Sequence, residues 1–421
     1  MENTKSMAKI MVGKKLCLSV ALSAGLCVSA SAAEATPFGF IGAYYSQGAS
    51  GMPVDNGKQA AYASASAHLG LDVGFGSGVS FGIGAWGAFP FYQNYLGPNK
   101  TNGVGDRVFP NTWEVSDAYI KYDSAVVSVA GGRFDVGRFY HGANGKEYTG
   151  MDYLWGNIQG MAFNLKASSF GFWALWMNSK LGVNGNYNRM SYELASFNNF
   201  VSWKHGHKGE VFMGGFDFDF DAFKLSPFAA YDTNIQNNAT AGSTPILTAG
   251  AKAVIDISVG GFESITTIRG LWQDYKIGGV KYNPLMLWID EEFVFAEIFK
   301  FGGGYIKNSD DSVRLYGNDK TRFYGYRANA TYAHTNPIYY GGNTGVWYVF
   351  AGIKPDSRLE LDLLASGGDY DEYSAVLSFR FFGDENGING KLGGGFVSTR
   401  PGWADDIKSR NNAIGFVKFS F

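Results

Sequence analysis

The chain has 421 residues, 35 Lys and Arg against 37 Asp and Glu, and a formal net charge of −2. With no basic block along it, a nucleic-acid partner is not expected. Its 58 glycines, 34 phenylalanines, 25 tyrosines and 10 tryptophans suit sheets with tight turns, and a mean hydropathy of −0.11 argues against a bundle of membrane helices.

The N-terminus reads as an export signal. Lys5, Lys9, Lys14 and Lys15 precede a 13-residue apolar run from Leu16 to Val28, and Ala30-Ser31-Ala32 offers a small-x-small cleavage site. The run is too short to span a bilayer as a helix. Leu26 before Cys27 argues against a lipoprotein. Cleavage after residue 32 leaves a single domain, 33–421. It removes Cys17 and Cys27, the two cysteines of the chain, so no disulfide is expected in the remainder. It also removes four lysines and Glu2, which leaves 31 basic and 36 acidic residues, a charge of −5.

From Ala63 the apolar residues recur at every second position through Leu69, Leu71, Val73 and Phe75. After Gly76-Ser77-Gly78 they resume at Val79, Phe81, Ile83, Ala85 and Phe89. A period of two is that of a strand, and the glycine pair marks a hairpin. Val73 to Asn99 carries no charge over 27 residues, but seven glycines and two prolines make it a hairpin arm and loop rather than a helix. Val126 to Phe134 reads as another strand. Phe216, Phe218 and Phe220 alternate with Asp217, Asp219 and Asp221. Leu359, Leu361 and Leu363 alternate with Arg358, Glu360 and Asp362. Tyr373, Ala375, Leu377, Phe379 and Phe381 alternate with Glu372, Ser374, Ser378 and Arg380.

Strands of this length with aromatics at their ends suit a tilted membrane crossing, which takes roughly 9–11 residues. Ile414 to Phe421 forms a last strand ending on an aromatic, a terminus that resembles the one carried by bacterial outer-membrane barrels. In a soluble sandwich it would be a bare edge, which closure into a barrel abolishes. The expected fold is therefore all-β, a transmembrane antiparallel β-barrel. Short connections fall at Gly76 to Gly78, Asp123-Ser124, Ala167 to Ser169, Asp219 to Ala222, Ser258 to Gly261, Ala296-Glu297, Lys354 to Ser357 and Gly383 to Gly387. Long ones fall at Pro90 to Thr112, Asp135 to Gly156, Lys180 to His207, Thr233 to Thr244 and Asn308 to Asn343. Alternating the two sets gives 18 strands, with 16 the other count, and Tyr324 to His334 placed in a loop. Barrels of roughly this size leave an aqueous channel.

Gly-Gly-Arg-Phe at Gly131 to Phe134, Gly-Asn-Ile-Gln-Gly at Gly156 to Gly160 and the terminal Phe421 carry a further likeness. In these the chain resembles the porins of the epsilonproteobacterial group, the Campylobacter-type major outer membrane protein and the Helicobacter outer-membrane barrel families. The resemblance implies a single-chain barrel, often trimeric, whose third extracellular loop folds into the lumen. Here that loop is Asp135 to Gly156. Its charges suit a constriction, where opposed signs orient dipolar solutes. The expected basic side is Lys121, Arg133, Arg138 and Lys146. The expected acidic side is Asp135, Glu147, Asp152, Asp217, Asp219, Asp290 and Glu292. In the run Asp290-Glu291-Glu292, alternation lets either the outer pair or Glu291 alone face inward.

His205 and His207, the pairs Asp310-Asp311 and Asp405-Asp406, and Gly302-Gly303-Gly304 do not build a metal site or phosphate loop by spacing. No nucleophile stands out. The reading is an outer-membrane porin passing small hydrophilic solutes and ions passively, without a metal or other cofactor and not an enzyme. Its expected partners are outer-membrane lipid, the solutes and further copies of itself in a homotrimer. An adhesin or structural barrel, kept open by the aromatic segment Tyr324 to Tyr348, and a barrel enzyme are the alternatives.

Overall fold

The computed structural model describes residues 34–47, 61–93, 112–141, 156–181, 187–189, 209–233, 245–311, 313, 322–324, 342–356, 358–384, 387–401 and 410–421. The export segment, the loop charges Lys146, Glu147 and Asp152, and His205, His207, Asp405 and Asp406 lie outside these residues.

Alternation along the chain is realised as strands: β1 (Glu34–Gln47), β2 (Ala61–Gly74), β3 (Val79–Gln93), β4 (Thr112–Asp123), β5 (Val127–Asp135), β6 (Asn157–Ala167), β7 (Phe170–Leu181), β8 (Tyr187–Arg189), β9 (Val211–Phe220) and β10 (Phe223–Asp232). There follow β11 (Ile246–Val259), β12 (Phe262–Ile277), β13 (Val280–Tyr282), β14 (Leu285–Phe295), β15 (Phe299–Asn308), β16 (Gly345–Ile353), β17 (Leu359–Gly368), β18 (Tyr370–Gly383), β19 (Asn389–Pro401) and β20 (Arg410–Ser420). A single helical turn, α1 (Val136–His141), follows β5.

Every pairing is antiparallel, and β1 pairs with both β2 and β20, so the sheet closes on itself. The short β8 and β13 only prolong the arms of β7 and β12, which also pair with β9 and β14. The wall is thus a closed 18-strand antiparallel barrel, with tight turns at the end where Glu34 and Phe421 lie. Among the described residues no helix is long and apolar enough to cross a membrane, and strands do the crossing.

The outer face inverts the order of a soluble protein, while the inner face is mixed, with Trp173, Met177, Trp288 and Ile306 buried there among polar groups. Ile83, Ile120, Met161, Phe216, Val259, Leu287, Val349 and Leu377 are exposed on the outside, whereas Ser80, Asn164, Ser226, Thr248, Gln273, Asn308, Glu372 and Ser378 are buried within. Exposed apolar surface on this scale has lipid as its solvent. Aromatics ring its ends, with Trp272, Tyr305 and Trp347 toward the long loops and Phe170, Phe220, Phe295 and Phe299 toward the short turns.

The register of β18 against β19 shifts between Arg380 and Phe382. The bulge brings Phe382 to the outer face beside Phe381, which packs edge-on against Phe382 and Phe419 with ring centroids 5.3 and 5.6 Å apart.

The seam depends on a glycine. Gly39 N–H donates to the Phe421 carbonyl at 2.9 Å, and Phe421 N–H returns a bond to the Gly39 carbonyl at 3.1 Å. Gly39 sits at φ +127°, and any Cβ there would strike the His68 carbonyl oxygen. Only glycine fits.

Candidate functional site: a lumen narrowed from two sides

The first narrowing grows from the end of β5. Phe134 and Val136 are buried, and the turn α1 begins where the Asp135 carboxylate accepts the Arg138 N–H at 3.1 Å. Asp135 therefore caps a helical turn. That turn directs Arg138 across the lumen wall. Its guanidinium carbon lies 3.3 Å from the Phe38 ring centroid on β1, Nη2 donates to the Tyr119 hydroxyl at 3.2 Å, and Nη1 stands 3.8 Å from Asp117. The start of the third loop is folded inward, against β1 and β4.

Asp117 is the hub beneath it. Fully buried, it lies 2.5 Å from His68 Nε2, accepts the Ser116 hydroxyl at 2.6 Å and accepts Asn157 Nδ2 at 3.1 Å. The Tyr119 hydroxyl donates to Asp72 at 2.6 Å. A buried carboxylate is tolerated when donors surround it, and here β2, β4, β6 and the loop supply them.

The second narrowing was not expected. Arg322-Phe323-Tyr324, from the long connection between β15 and β16, sits inside the barrel. Arg322 donates from Nε and Nη2 to Asp290 at 3.0 and 2.8 Å, and from Nη1 to Glu292 at 2.8 Å. Its guanidinium carbon is 3.8 Å from the Phe350 ring centroid. Phe323 is fully enclosed, edge-on to Tyr348 and Tyr370 at 5.2 and 5.4 Å. Tyr324 donates its N–H to Glu372 at 2.7 Å and its hydroxyl to Asp362 at 2.8 Å. The Tyr348 hydroxyl bonds Asp290 in turn and accepts from Trp288 Nε1 at 2.8 Å. Burial opposes the Arg322 charge, but the bonds and field of Asp290 and Glu292 outweigh it and hold the guanidinium above its usual range.

The expected constriction set is thus dispersed. Asp290 and Glu292 point inward, as alternation allowed, and Arg322 pairs with both. Asp217 points inward and accepts the Ser226 hydroxyl at 2.6 Å, while Asp219 lies exposed beside the β9–β10 turn, in register with Lys224. Lys121 shares the inner face of Tyr119 near the tight turns, 3.9 Å from Asp123. Arg133 stands on the face of β5 opposite to buried Phe134. It bonds Glu114 at 2.9 Å and Gln159 at 3.0 Å toward the long-loop end of the barrel.

Sequence reasoning also passed over a basic face. Arg380, Lys391 and Lys418 lie in cross-strand register on β18, β19 and β20, facing inward near the tight turns. Glu360 reaches Lys391 at 3.0 Å, and Lys418 Nζ lies 4.8 Å from the Phe40 ring centroid. Alternation placed Arg380 on the polar face, but the alignment of three cations needs the register of three strands.

These features define a membrane-spanning β-barrel whose interior, part polar and charged and part apolar, is narrowed by loop segments. In backbone the barrel is similar to a BenF-like porin from Pseudomonas fluorescens Pf-5, with TM-score 0.62, 11% identity, and 92% of this chain and 99% of that one covered. It is similar to the outer membrane protein opdK of Pseudomonas aeruginosa, with TM-score 0.62, 12% identity, and 92% and 98% covered. OccAB3 of Acinetobacter baumannii gives TM-score 0.65, 9% identity, and 92% and 99% covered. At such identities the likeness is one of fold. No family model matches the chain, and no curated protein matches it in sequence.

Proposed function

We propose that the chain is an outer-membrane porin through which small hydrophilic solutes and ions diffuse passively. The observation that carries this reading is the combination of an 18-strand closed wall, apolar outside, with an inner face that sets buried charged and polar groups beside an apolar cluster and is narrowed by two inserted segments. Eighteen strands enclose more space than their own side chains fill. The loop-held Arg138 and Arg322, with Asp217 of β9 and the cations of β18–β20 nearer the tight turns, give the lumen both signs of charge along its length, which favours dipolar solutes over apolar ones.

Three finer readings belong here. The neck is completed by the rest of the third loop, with Lys146, Glu147 and Asp152 among its charges. The chain is a relative of the Campylobacter and Helicobacter barrels, on the motifs at Gly131 to Phe134 and Gly156 to Gly160. The barrels work as a homo-oligomer. The adhesin reading rested on the aromatic segment from Tyr324 to Tyr348; against it, Tyr324 and Tyr348 both spend their hydroxyls inside the lumen. The enzyme reading is disfavoured by the role of Asp117, which gathers donors to anchor a loop.

Swelling of liposomes carrying the folded chain, measured with a series of sugars and amino acids of rising size, tests the proposal. Swelling rates falling steeply with solute size are expected. Vesicles that swell no faster than protein-free ones for every solute would refute diffusion through the lumen.

A further inference from the structure

On the outer wall of β11, β12, β14 and β15 the residues between the aromatic rings are apolar or small, save at Glu291 of β14 and the Ser264 and Thr266 beside it. Asp290 and Glu292 face the lumen, so Glu291 faces the lipid. Its cross-strand partners are Thr266 of β12 and Gly303 of β15. The Ser264 and Thr266 hydroxyls donate to its two carboxylate oxygens at 2.8 and 2.5 Å. Glu291 lies four residues from Phe295, the last residue of β14 at the tight turn. With a rise of about 3.3 Å per residue and a tilt of about 40°, it sits on the order of 10 Å into the apolar band.

Acyl chains have no group that answers a carboxylate, and two neutral hydroxyls do not replace the water it has lost. A protein wall laid over the patch would supply partners and exclude lipid. The surroundings admit one. Gly303 flanks Glu291 directly, the outward side of Gly270 is open space, and Ala249, Ala251 and Ala253 carry the low relief onto β11. Small side chains let two rigid walls approach closely within a membrane.

We infer that this face, Glu291 with Ser264 and Thr266, is where a second copy of the same chain packs within the membrane. The depth argument selects that partner. Copies inserted in one orientation carry the patch at one level, so rotation about the membrane normal brings patch against patch. The patch is also self-complementary, since it holds a carboxylate acceptor beside two hydroxyls that can each turn toward a partner's acceptor. The inference rests on the barrel spanning a membrane and deepens the homo-oligomer reading above.

The test uses the full chain in outer membranes, with Cys17 and Cys27 changed to Ser. Thr266→Cys is expected to give a species of two or more chains with a short thiol cross-linker, while Ile83→Cys, outward on β3, stays monomeric. Glu291→Leu is expected to lose the oligomer seen by light scattering of the wild type in mild detergent, with each barrel conducting as before. A monomeric wild type, no cross-link at Thr266→Cys, or an unchanged oligomer in Glu291→Leu overturns the inference. Should Glu291→Leu fail to fold, the Thr266→Cys cross-link decides. A cross-linked but silent barrel would count against the porin reading alone, and a conducting monomer against this inference alone.

Discussion

Replacing Arg322 with alanine is expected to raise single-channel conductance and to turn the channel toward cations. In the native barrel this side chain ties three residues of a long loop into the lumen through three hydrogen bonds to Asp290 and Glu292. Removing one partner of a buried ion pair costs about 3–5 kcal/mol, chiefly because the other partner is left desolvated and unpaired. Since Arg322 is itself 29% exposed, the lower end applies. About 3 kcal/mol is roughly two decades in the ratio of pinned to released segment. Release draws Phe323 out from between Tyr348 and Tyr370, widening the neck, and leaves two carboxylates without their cation. The reversal potential under a salt gradient reads the second effect, the current step the first. Arg322→Lys keeps the charge but loses the fork that spans two carboxylates, and should fall between wild type and alanine.

Gly39→Val is expected to abolish the folded barrel. Valine disfavours φ +127°, and its Cβ would meet the His68 carbonyl, so β1 is pushed from β2 just where it also pairs with the chain end. A seam opened in lipid exposes backbone groups that find no water, at several kcal/mol each. The folded form, recognised by its faster migration in unheated gels, should vanish. Gly260→Ala makes the control. Gly260 also has positive φ, +57°, but a Cβ there meets nothing within 4 Å, so only a loss of about 1 kcal/mol is expected, and a normal barrel.

What the sequence disclosed and what it hid follow from range. The strand walls were legible because alternation and glycine turns are local, so the tight turns at Gly76 to Gly78, Ser258 to Gly261 and Gly383 to Gly387 yielded the strand count. The arrival of Phe382 on the outer face beside Phe381 was hidden, because a bulge is set by the partner strand, not by the bulged strand's own pattern. The period of two says which residues share a face and leaves open which face is inside, and the packing of Phe134 beside the turn α1 marks the inner face of β5. Asp290 and Glu292 were found as an inward pair, yet their partner was invisible, since Arg322 lies about thirty residues along the chain within a loop that has no periodicity. The hub at Asp117 was hidden likewise, with His68 49 positions away. Glu291 was visible as the odd member of an acidic run, and only register gave it two hydroxyl neighbours and a place in the membrane.

The central claim, an open pore, is tested most directly by single-channel recording of the folded chain in a planar bilayer under a salt gradient. Discrete, long-lived current steps are expected, with a reversal potential that shifts toward cations in Arg322→Ala. A barrel that inserts with folded migration and passes no current would contradict the claim and leave the loops, not the lumen, as the seat of function.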